Sequence, residues 1–174
     1  YIFLVVLIIF TGCSHNNEPS VKKEIYVTKK VYKKINKYTI LDAAKKLFIL
    51  ADKKQFLVDS YRNKLISSKV RFKNDIITVN LVQDKWVLEV VQEENQSRAL
   101  LSLISKNSMD DEELYNRNEK LHNMFWSRID YLLGLEKKWY TCDKYYENND
   151  FDGILCDSSF LTDLKPKKSD IITN

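Results

Sequence analysis

Cys13 is the residue whose sequence context most clearly indicates a chemical role, because of the residues in front of it. The run from Tyr1 to Phe10 carries no charge, and Thr11 and Gly12 lead from it to the thiol. A bilayer-spanning helix needs about 20 apolar residues, so this run is too short to span. Its length suits the apolar part of an export signal, which small residues follow at the cleavage point. The alternatives are a signal peptide without modification of the cysteine, and a buried strand with a chance cysteine.

The segment Phe10-Thr11-Gly12-Cys13 resembles the lipobox of bacterial lipoprotein precursors. In that family the signal peptide is removed just before the cysteine, whose thiol carries a covalent lipid. The likeness covers residues 1–14, and Phe10 departs from the leucine that is commoner at its position. Neither Met nor a basic segment precedes Tyr1, so we expect a few residues to be missing from the start. Two or three acyl chains would make the anchor effectively permanent, since each buried methylene contributes about 0.8 kcal/mol.

The same resemblance implies a destination. Aspartate after the lipidated cysteine tends to retain a lipoprotein at the inner membrane, and here the residue is Ser14. We therefore expect a lipid-anchored protein of the bacterial cell envelope, at the outer membrane and facing the periplasm.

The stretch after the anchor is rich in lysine, and we predict that residues 13–37 form a tether. An alternative is contact with anionic lipid headgroups, worth about 1 kcal/mol per lysine near the surface. The lysines concerned are Lys22, Lys23, Lys29, Lys30, Lys33 and Lys34, with Lys37 after them. Interleaved apolar residues such as Val27 and Val31 leave a further alternative, in which part of the stretch pairs as an edge strand.

Cys142 and Cys156 remain as a pair once Cys13 carries the lipid. The oxidising envelope that the resemblance implies permits disulfides. A bridge would close a loop of about 15 residues, which the chain-entropy account values at about 3 kcal/mol. A Cys-x-x-Cys motif is absent, which disfavours catalytic redox work. We predict a disulfide, with two reduced thiols or a redox pair as alternatives.

Between these cysteines, Asn148, Asp150 and Asp152 alternate and Gly153 follows. Hard cations take several oxygen ligands, and glycine permits the sharp turn among them. Together with Cys156 and the acid after it, the segment resembles the signature of Excalibur-type calcium modules, which implies a Ca²⁺ site at these three residues. Asn148 departs from the aspartate of that signature. The favoured alternative is a disulfide-closed surface turn, because such loops are common as plain turns.

The sequence does not assemble a catalytic cluster. His15 and His122 are the two histidines, and neither has a second histidine nearby to make a zinc pair. We expect His122 to be a partly exposed residue of a helix. With three glycines the chain offers no glycine-rich phosphate loop. The export signal would place the chain away from nucleic acid, so we expect no nucleic-acid partner. We therefore predict no enzymatic activity and no cofactor beyond the lipid. A hydrolase is the third hypothesis for the function, after a docking protein and a ligand-binding module.

The apolar spacing predicts a helix over residues 40–52, with Thr39 as its N-cap. Period-two alternation then predicts strands around residues 56–58, 66–72, 77–81 and 86–90, with turns at 73–75 and 83–85. We place Ile66, Ser68, Val70 and Phe72 on the buried face of the second strand, and Lys69 and Arg71 on the other face. After a hairpin loop at 93–96, residues 97–105 are predicted as a fifth strand, with a helix as the alternative.

A long second helix is predicted from an N-cap at Ser108 to a C-cap at Gly134. Its apolar stripe is Leu114, Leu121, Phe125, Ile129 and Leu132. Trp139-Tyr140 and Tyr145-Tyr146 follow it, and we expect them to pack against this helix rather than to form a contact patch.

The predicted class is α+β in two layers: an antiparallel meander of four to five strands, flanked by an N-terminal helix and a long C-terminal helix, with a disulfide-closed tail. The organisation is a signal peptide (1–12), the lipidated cysteine and tether (13–37), one globular domain (38–164) and a disordered tail (165–174). We expect a structural, assembly or docking role on an envelope protein partner. A ligand- or calcium-binding envelope module is the alternative.

Overall fold

The computed structural model describes residues 25–52, 55–74, 79–107, 113–142, 155–156 and 166–172. In this part of the chain, six antiparallel strands form one sheet and two helices cover one of its faces. The core lies between the layers, where Trp86 of the sheet stacks on Phe125 of the second helix and contacts Phe48 of the first. The predicted α+β class is confirmed, and the strand count of four to five is too low.

The bounds of the elements are β1 (Thr28–Lys33), α1 (Lys37–Asp52), β2 (Leu57–Ser60), β3 (Lys64–Asn74), β4 (Val79–Glu93), β5 (Gln96–Asn107), β6 (Glu113–Tyr115) and α2 (Glu119–Leu132), with a 3-10 turn at Lys168–Asp170. The strand order is β1-β5-β4-β3-β2, and β6 pairs with the end of β5 that β1 leaves uncovered. Glu94 and Asn95 join β4 to β5 at the predicted hairpin. Residues 97–105 lie in β5, so the predicted strand is confirmed and the alternative helix is wrong.

Part of the stretch predicted as a tether is a strand of the sheet. β1 pairs with β5 from Thr28 opposite Leu101 to Lys33 opposite Gln96, so part of the stretch assigned to the tether belongs to the sheet. The edge-strand alternative is the correct one. The physical reason is burial: Tyr32 and Ile35 enter the core, and leaving them in a solvated tether would expose that apolar surface.

Helix α1 begins before the predicted residue 40. The backbone N–H of Thr39 donates to Asn36 Oδ1 at 2.9 Å, so Asn36 caps the helix and Thr39 lies in its first turn. The predicted apolar positions of α1 are buried: Ile40, Ala43, Ala44, Leu47, Phe48 and Ala51.

The predicted faces of β3 are reversed. Leu65, Ser67 and Lys69 are buried, whereas Val70 is 54% and Phe72 is 73% exposed. The cause is β4, because residues opposite each other in an antiparallel pair share a face. Leu65 is opposite Leu88 and Ser67 is opposite Trp86, and these β4 residues face the helices.

β4 is one strand where two were predicted. The expected turn at 83–85 does not form, and Asp84 in its middle is fully buried and bonded to Arg71 and Ser105. Since the strand is continuous, alternation from buried Trp86 and Leu88 puts Leu81 on the opposite face, where it is 41% exposed.

Helix α2 begins at Glu119 rather than near Ser108, which lies outside the described residues. The side chain of Asn118 caps it by accepting from the Leu121 N–H at 3.2 Å. Leu114, predicted in the helix stripe, lies in β6 and is 60% exposed, while Leu121, Phe125, Ile129 and Leu132 are buried as predicted.

Gly134 ends α2 as predicted. It has a φ of +71° and donates to Tyr131 O at 3.0 Å, while Leu135 N donates to Asp130 O at 2.8 Å. These two bonds make a Schellman motif, which favours glycine at the left-handed position.

The predicted disordered tail is wrong for residues 166–172. Pro166 is buried, Ile172 N donates to Leu132 O at 2.8 Å, and Lys46 Nζ donates to Asp170 O at 3.2 Å. Contacts with both helices therefore order this segment.

Candidate functional site

Several sequence-predicted site residues lie outside the described residues: Cys13, Lys22, Lys23, Asn148, Asp150 and Asp152. Of the predicted membrane-contacting lysines in the described part, Lys29, Lys33 and Lys34 are exposed. Lys30 instead donates to Asp130 of α2. The lipid anchor, the calcium site and the membrane contact stay predictions.

The predicted disulfide joins Cys142 to Cys156, whose Cα atoms are 6.0 Å apart, and both residues are buried. Arg128 of α2, 1% exposed, organises the chain around it. Its guanidinium donates to Tyr140 O at 3.0 Å and to Leu155 O at 2.8 Å, and lies 3.3 Å from Cys142 Sγ. The same group stacks 4.5 Å from the ring centroid of Trp139. The role of Arg128 was missed from the sequence, where the signal is a lone arginine beside the apolar stripe of α2.

The Trp139-Tyr140 pair packs against α2, as expected. Trp139 makes an edge contact with Tyr131, with ring centroids 5.5 Å apart, and both Trp139 and Tyr140 are partly buried. Tyr145-Tyr146 lies outside the described residues.

A row of polar contacts joins α2 to β1. The Trp126 indole N–H donates to Thr28 Oγ1 at 3.0 Å, and His122 Nδ1 lies 3.0 Å from the same oxygen. His122 Nε2 lies 3.1 Å from Asn116 O. A neutral imidazole with its proton on Nε2 satisfies every group, because it donates to the carbonyl and accepts from the threonine hydroxyl.

His122 is 1% exposed, which corrects the prediction of a partly exposed residue. Burial lowers the pKa of His122, since the charged form loses its hydration, and the bond to Asn116 O opposes this only in part.

About two turns after His122 along α2, Asp130 receives two donors from β1. Tyr32 OH donates to Asp130 Oδ1 at 3.1 Å and Lys30 donates to Oδ2. Burial, and then the nearby Asp130 carboxylate, raise the pKa of Tyr32. The phenol therefore stays protonated and acts as a donor, and the arrangement fixes the edge strand to the helix.

The second half of β3 and the first half of β4 carry charged side chains on the side of the sheet that the helices cover. Lys69, 3% exposed, has its Nζ 3.7 Å from Asp52 Oδ2 and 5.3 Å from the ring centroid of Phe56. Arg71 pairs with buried Asp84, which also accepts from Ser105 Oγ at 2.6 Å. Buried charges of this kind are tolerated because they are paired.

The opposite side of the same strands, here called the outer face, is apolar where the covered side is charged. Val70, Phe72 and Leu81 are exposed there, and Phe72 is directly opposite Leu81 in the ladder. We call these three residues the apolar corner. At these positions of β3 and β4, charged side chains thus lie on the covered side and apolar side chains on the outer face, which inverts the usual arrangement.

Two adjoining grooves lie on the outer face, and the second of them reaches the apolar corner. The first measures about 300 Å³ and is lined by Asp59, Ile66, Ser68, Gln83, Lys85, Ile104, Lys106 and Glu113. The second measures about 280 Å³, shares Gln83 and Lys106 with the first, and reaches Val70 and Leu81. Charges of both signs therefore border an apolar surface.

The described residues contain no cluster of three or more His, Cys, Asp or Glu side chains placed to hold a metal ion. In the same ranges no helix has the length and apolar character to cross a membrane.

No family model and no curated protein matches the chain. Among solved structures, a DUF4468 family protein from Bacteroides ovatus is similar over 62% of this chain and 79% of that chain. The identity is 8% and the TM-score is 0.32, so the likeness carries no argument about this chain.

Proposed function

We propose that the chain is a lipid-anchored protein of the bacterial cell envelope, attached through Cys13, which docks on another envelope protein through the outer face of its sheet. The role is structural or assembly-related and does not involve catalysis. The apolar run that ends at Cys13 supports the anchor. The inverted arrangement of β3 and β4 is the observation that carries the docking.

The inversion has an energetic consequence. Fully burying an apolar side chain such as those of the apolar corner contributes about 1.5–3 kcal/mol. In the isolated chain these side chains are exposed, so that free energy is not gained. A partner that covers Val70, Phe72 and Leu81 recovers that free energy in the complex.

The charges that line the first groove of the outer face favour a protein over a lipid surface as the occupant. Anionic headgroups attract clusters of Lys and Arg. The groove instead combines Lys85 and Lys106 with Asp59 and Glu113. An apolar centre with polar residues of both signs around it is typical of protein interfaces.

Site-specific photo-crosslinking in intact cells tests the docking. A photoreactive residue in place of Phe72, 73% exposed, should form an adduct with one envelope protein. The matched control is the same substitution at Leu135, 55% exposed and located after α2, which should give no such adduct. Equal adducts from both positions, or monomer alone from Phe72, would contradict the proposal.

The anchor is tested separately by metabolic labelling with a palmitate analogue. The wild-type chain should incorporate the label and Cys13→Ser should not. Labelling of the Cys13→Ser chain, or none of the wild type, would exclude lipidation at this cysteine.

The first groove favours a second candidate function, a ligand-binding envelope module. At about 300 Å³ it lies at the lower end of known ligand pockets. The calcium form of this alternative rests on Asn148, Asp150 and Asp152. A calorimetric titration without heat at millimolar Ca²⁺ would remove it.

A further inference from the structure

The first strand and the residue after it carry three exposed lysines. Lys29, Lys33 and Lys34 are exposed, whereas Lys30 of the same stretch donates to Asp130 on the covered side. Among the described residues, no carboxylate pairs with any of the three exposed lysines. Their charges are therefore available to another molecule.

Exposed valines lie between these lysines. The residues of β1 that contact α2 are the even ones, namely Thr28, Lys30 and Tyr32. Since successive side chains of a strand point to opposite faces, Lys29, Val31 and Lys33 lie on the outer face. Val31 is 42% exposed, and Val27, just before the strand, is 45% exposed. We use the name basic strip for the following residues: Val27, Lys29, Val31, Lys33 and Lys34.

We propose that the basic strip lies on a bilayer that contains anionic phospholipids. Anionic headgroups attract lysines near the surface, and exposed apolar residues beside the lysines add to the binding as they enter the interface. The inference rests on the proposed function, because it uses the anchor at Cys13. It goes beyond that function by naming the surface of the domain that contacts the membrane.

The length of chain between the anchor and the basic strip keeps the strip near the membrane. Cys13 and Val27 are fourteen residues apart. A fully extended chain covers at most about 3.6 Å per residue, so the strip lies within about 50 Å of the lipid. At this distance the effective concentration of headgroups is high, and a weak contact is enough to orient the domain. Three lysines supply such a contact, since each raises the affinity for an anionic surface about fivefold.

The charges of the basic strip distinguish its occupant from that of the apolar corner. The first groove of the outer face combines both signs, which is typical of protein interfaces. The charged residues of the strip are all cations, and Glu93 at the end of β4 is already paired with Arg98 at 3.3 Å. An acidic protein would also suit three lysines, but the anchor brings lipid rather than a protein to this strand. The bilayer is therefore the occupant that charge and attachment both favour.

The twist of the sheet allows membrane contact and docking at the same time. β1 and β3 are three positions apart in the strand order. Neighbouring strands are rotated by about 20–25°, so the outer face turns by about 60–75° between the basic strip and the apolar corner. The domain can therefore rest on β1 while the apolar corner stays accessible to a protein partner.

Lysine footprinting on vesicles tests the contact. The mature chain, residues 13–174, is coupled through the Cys13 thiol to a maleimide lipid, which spares Cys142 and Cys156 because they are bridged and buried. The vesicles contain phosphatidylcholine alone or an equal mixture with phosphatidylglycerol. Mass spectrometry then follows the acetylation of each lysine by a soluble reagent. On the anionic vesicles the lysines of the basic strip should react at least about fivefold more slowly, and about 1 M salt should remove the difference.

Other lysines serve as internal controls in the same spectra. Lys137 and Lys138, exposed after α2, should react equally on both kinds of vesicle. Lys85 and Lys106, which line the first groove of the outer face, should also react equally, because the proposed contact is confined to β1.

Variants locate the contact. Lys29→Gln combined with Lys33→Gln should weaken it about 25-fold and remove most of the protection of Lys34. Lys137→Gln combined with Lys138→Gln removes the same charge from a distant surface and should leave the protection of Lys34 intact.

Three results would overturn the membrane contact: equal labelling of the basic strip on the two kinds of vesicle, protection of Lys85 and Lys106 to the same extent as the strip, or loss of protection in the Lys137 and Lys138 variant. The maleimide lipid replaces the natural one, so the test does not depend on lipidation in cells. Protection of the strip in a chain that fails palmitate labelling would keep the membrane surface and remove the anchor. Palmitate labelling without protection would keep the anchor and remove the membrane surface alone.

Discussion

At the scale of single residues, buried polar side chains of α2 hold two segments to the domain. His122, Trp126 and Asp130 face β1, and Arg128 binds the segment that contains the disulfide. Each polar group meets a complementary donor or acceptor, which is what makes its burial tolerable. Residues four apart share a face of a helix, so His122, Trp126 and Asp130 face β1 together, whereas Arg128 lies on another face.

His122 should make the stability of the protein depend on pH below about 6.5. Its pKa is lowered in the folded state, whereas in the unfolded chain it is about 6.5. Above about 6.5 the imidazole is neutral in both states, so its contribution is constant. As the pH falls below this value, His122 binds a proton in the unfolded chain but stays neutral in the folded chain. The free energy of unfolding then falls by at most about 1.4 kcal/mol per pH unit, until the folded pKa is reached.

Urea denaturation between about pH 5.5 and 7.5 measures this dependence. His122→Gln should flatten the profile in that window, because the titrating group is gone. His15→Gln, which removes the other histidine, should keep the wild-type slope. An unchanged slope in His122→Gln would assign the pH dependence to another group.

Arg128→Ala should destabilise the protein by about 3 kcal/mol, because two buried carbonyls lose their donor. These carbonyls belong to Tyr140 and Leu155. Arg98→Ala is the matched control, since Arg98 has a side chain that is 44% exposed and pairs with Glu93 at 3.3 Å. Its loss should change the free energy of unfolding by less than about 1 kcal/mol. Thermal or urea unfolding checks both, and equal effects would refute the role given to Arg128.

At the scale of elements, local pattern predicted most of the strands and helices but not which way β3 and the start of β4 face. Trp86, Leu88 and Val90 alternate with polar residues and are buried as expected. Lys69 and Asp84 were misassigned because their partners, Asp52 and Arg71, are remote in sequence and come together only in the fold. Local rules fail most readily at functional sites. The failure here coincides with the apolar corner.

The two buried serines of the sheet should respond oppositely to loss of their hydroxyl groups. Ser97 Oγ donates to Ile35 O at 2.6 Å and so ties β5 to the link between β1 and α1. Ser67 is equally buried, but its hydroxyl has no hydrogen-bond partner among the described residues. Ser97→Ala should cost about 1–2 kcal/mol, because Ile35 O stays buried and unsatisfied. Ser67→Ala should be neutral or stabilising, since it removes an unpaired buried polar group.

Urea unfolding of the two variants side by side measures this difference. A loss of more than about 1 kcal/mol in Ser67→Ala would show that its hydroxyl has a partner, and would contradict the expectation for this variant.

At the scale of the whole molecule, the sheet separates the N-terminal strand from the apolar corner, which the proposed function uses for docking. β1 and β3 are three strand spacings apart, which is about 14 Å at the usual 4.8 Å per strand. The helices occupy one face of the sheet, and the proposed function places the partner on the outer face. The separation of β1 from the apolar corner is not readable from the sequence, because it depends on the strand order.

The disulfide also belongs to this scale, because it links Cys142 to Cys156 beside Arg128, and Arg128 bonds Leu155 to α2. Cys142→Ser with Cys156→Ser should lower the free energy of unfolding by about 3 kcal/mol, the value for closing a loop of this length in the unfolded chain. The measurement is urea unfolding in a Cys13→Ser background, where the pair are the remaining cysteines. Reductant should lower the stability of the parent to that of the double variant and leave the variant unchanged. A parent that is insensitive to reductant, or a variant as stable as the parent, would show that packing around Arg128 alone secures this segment.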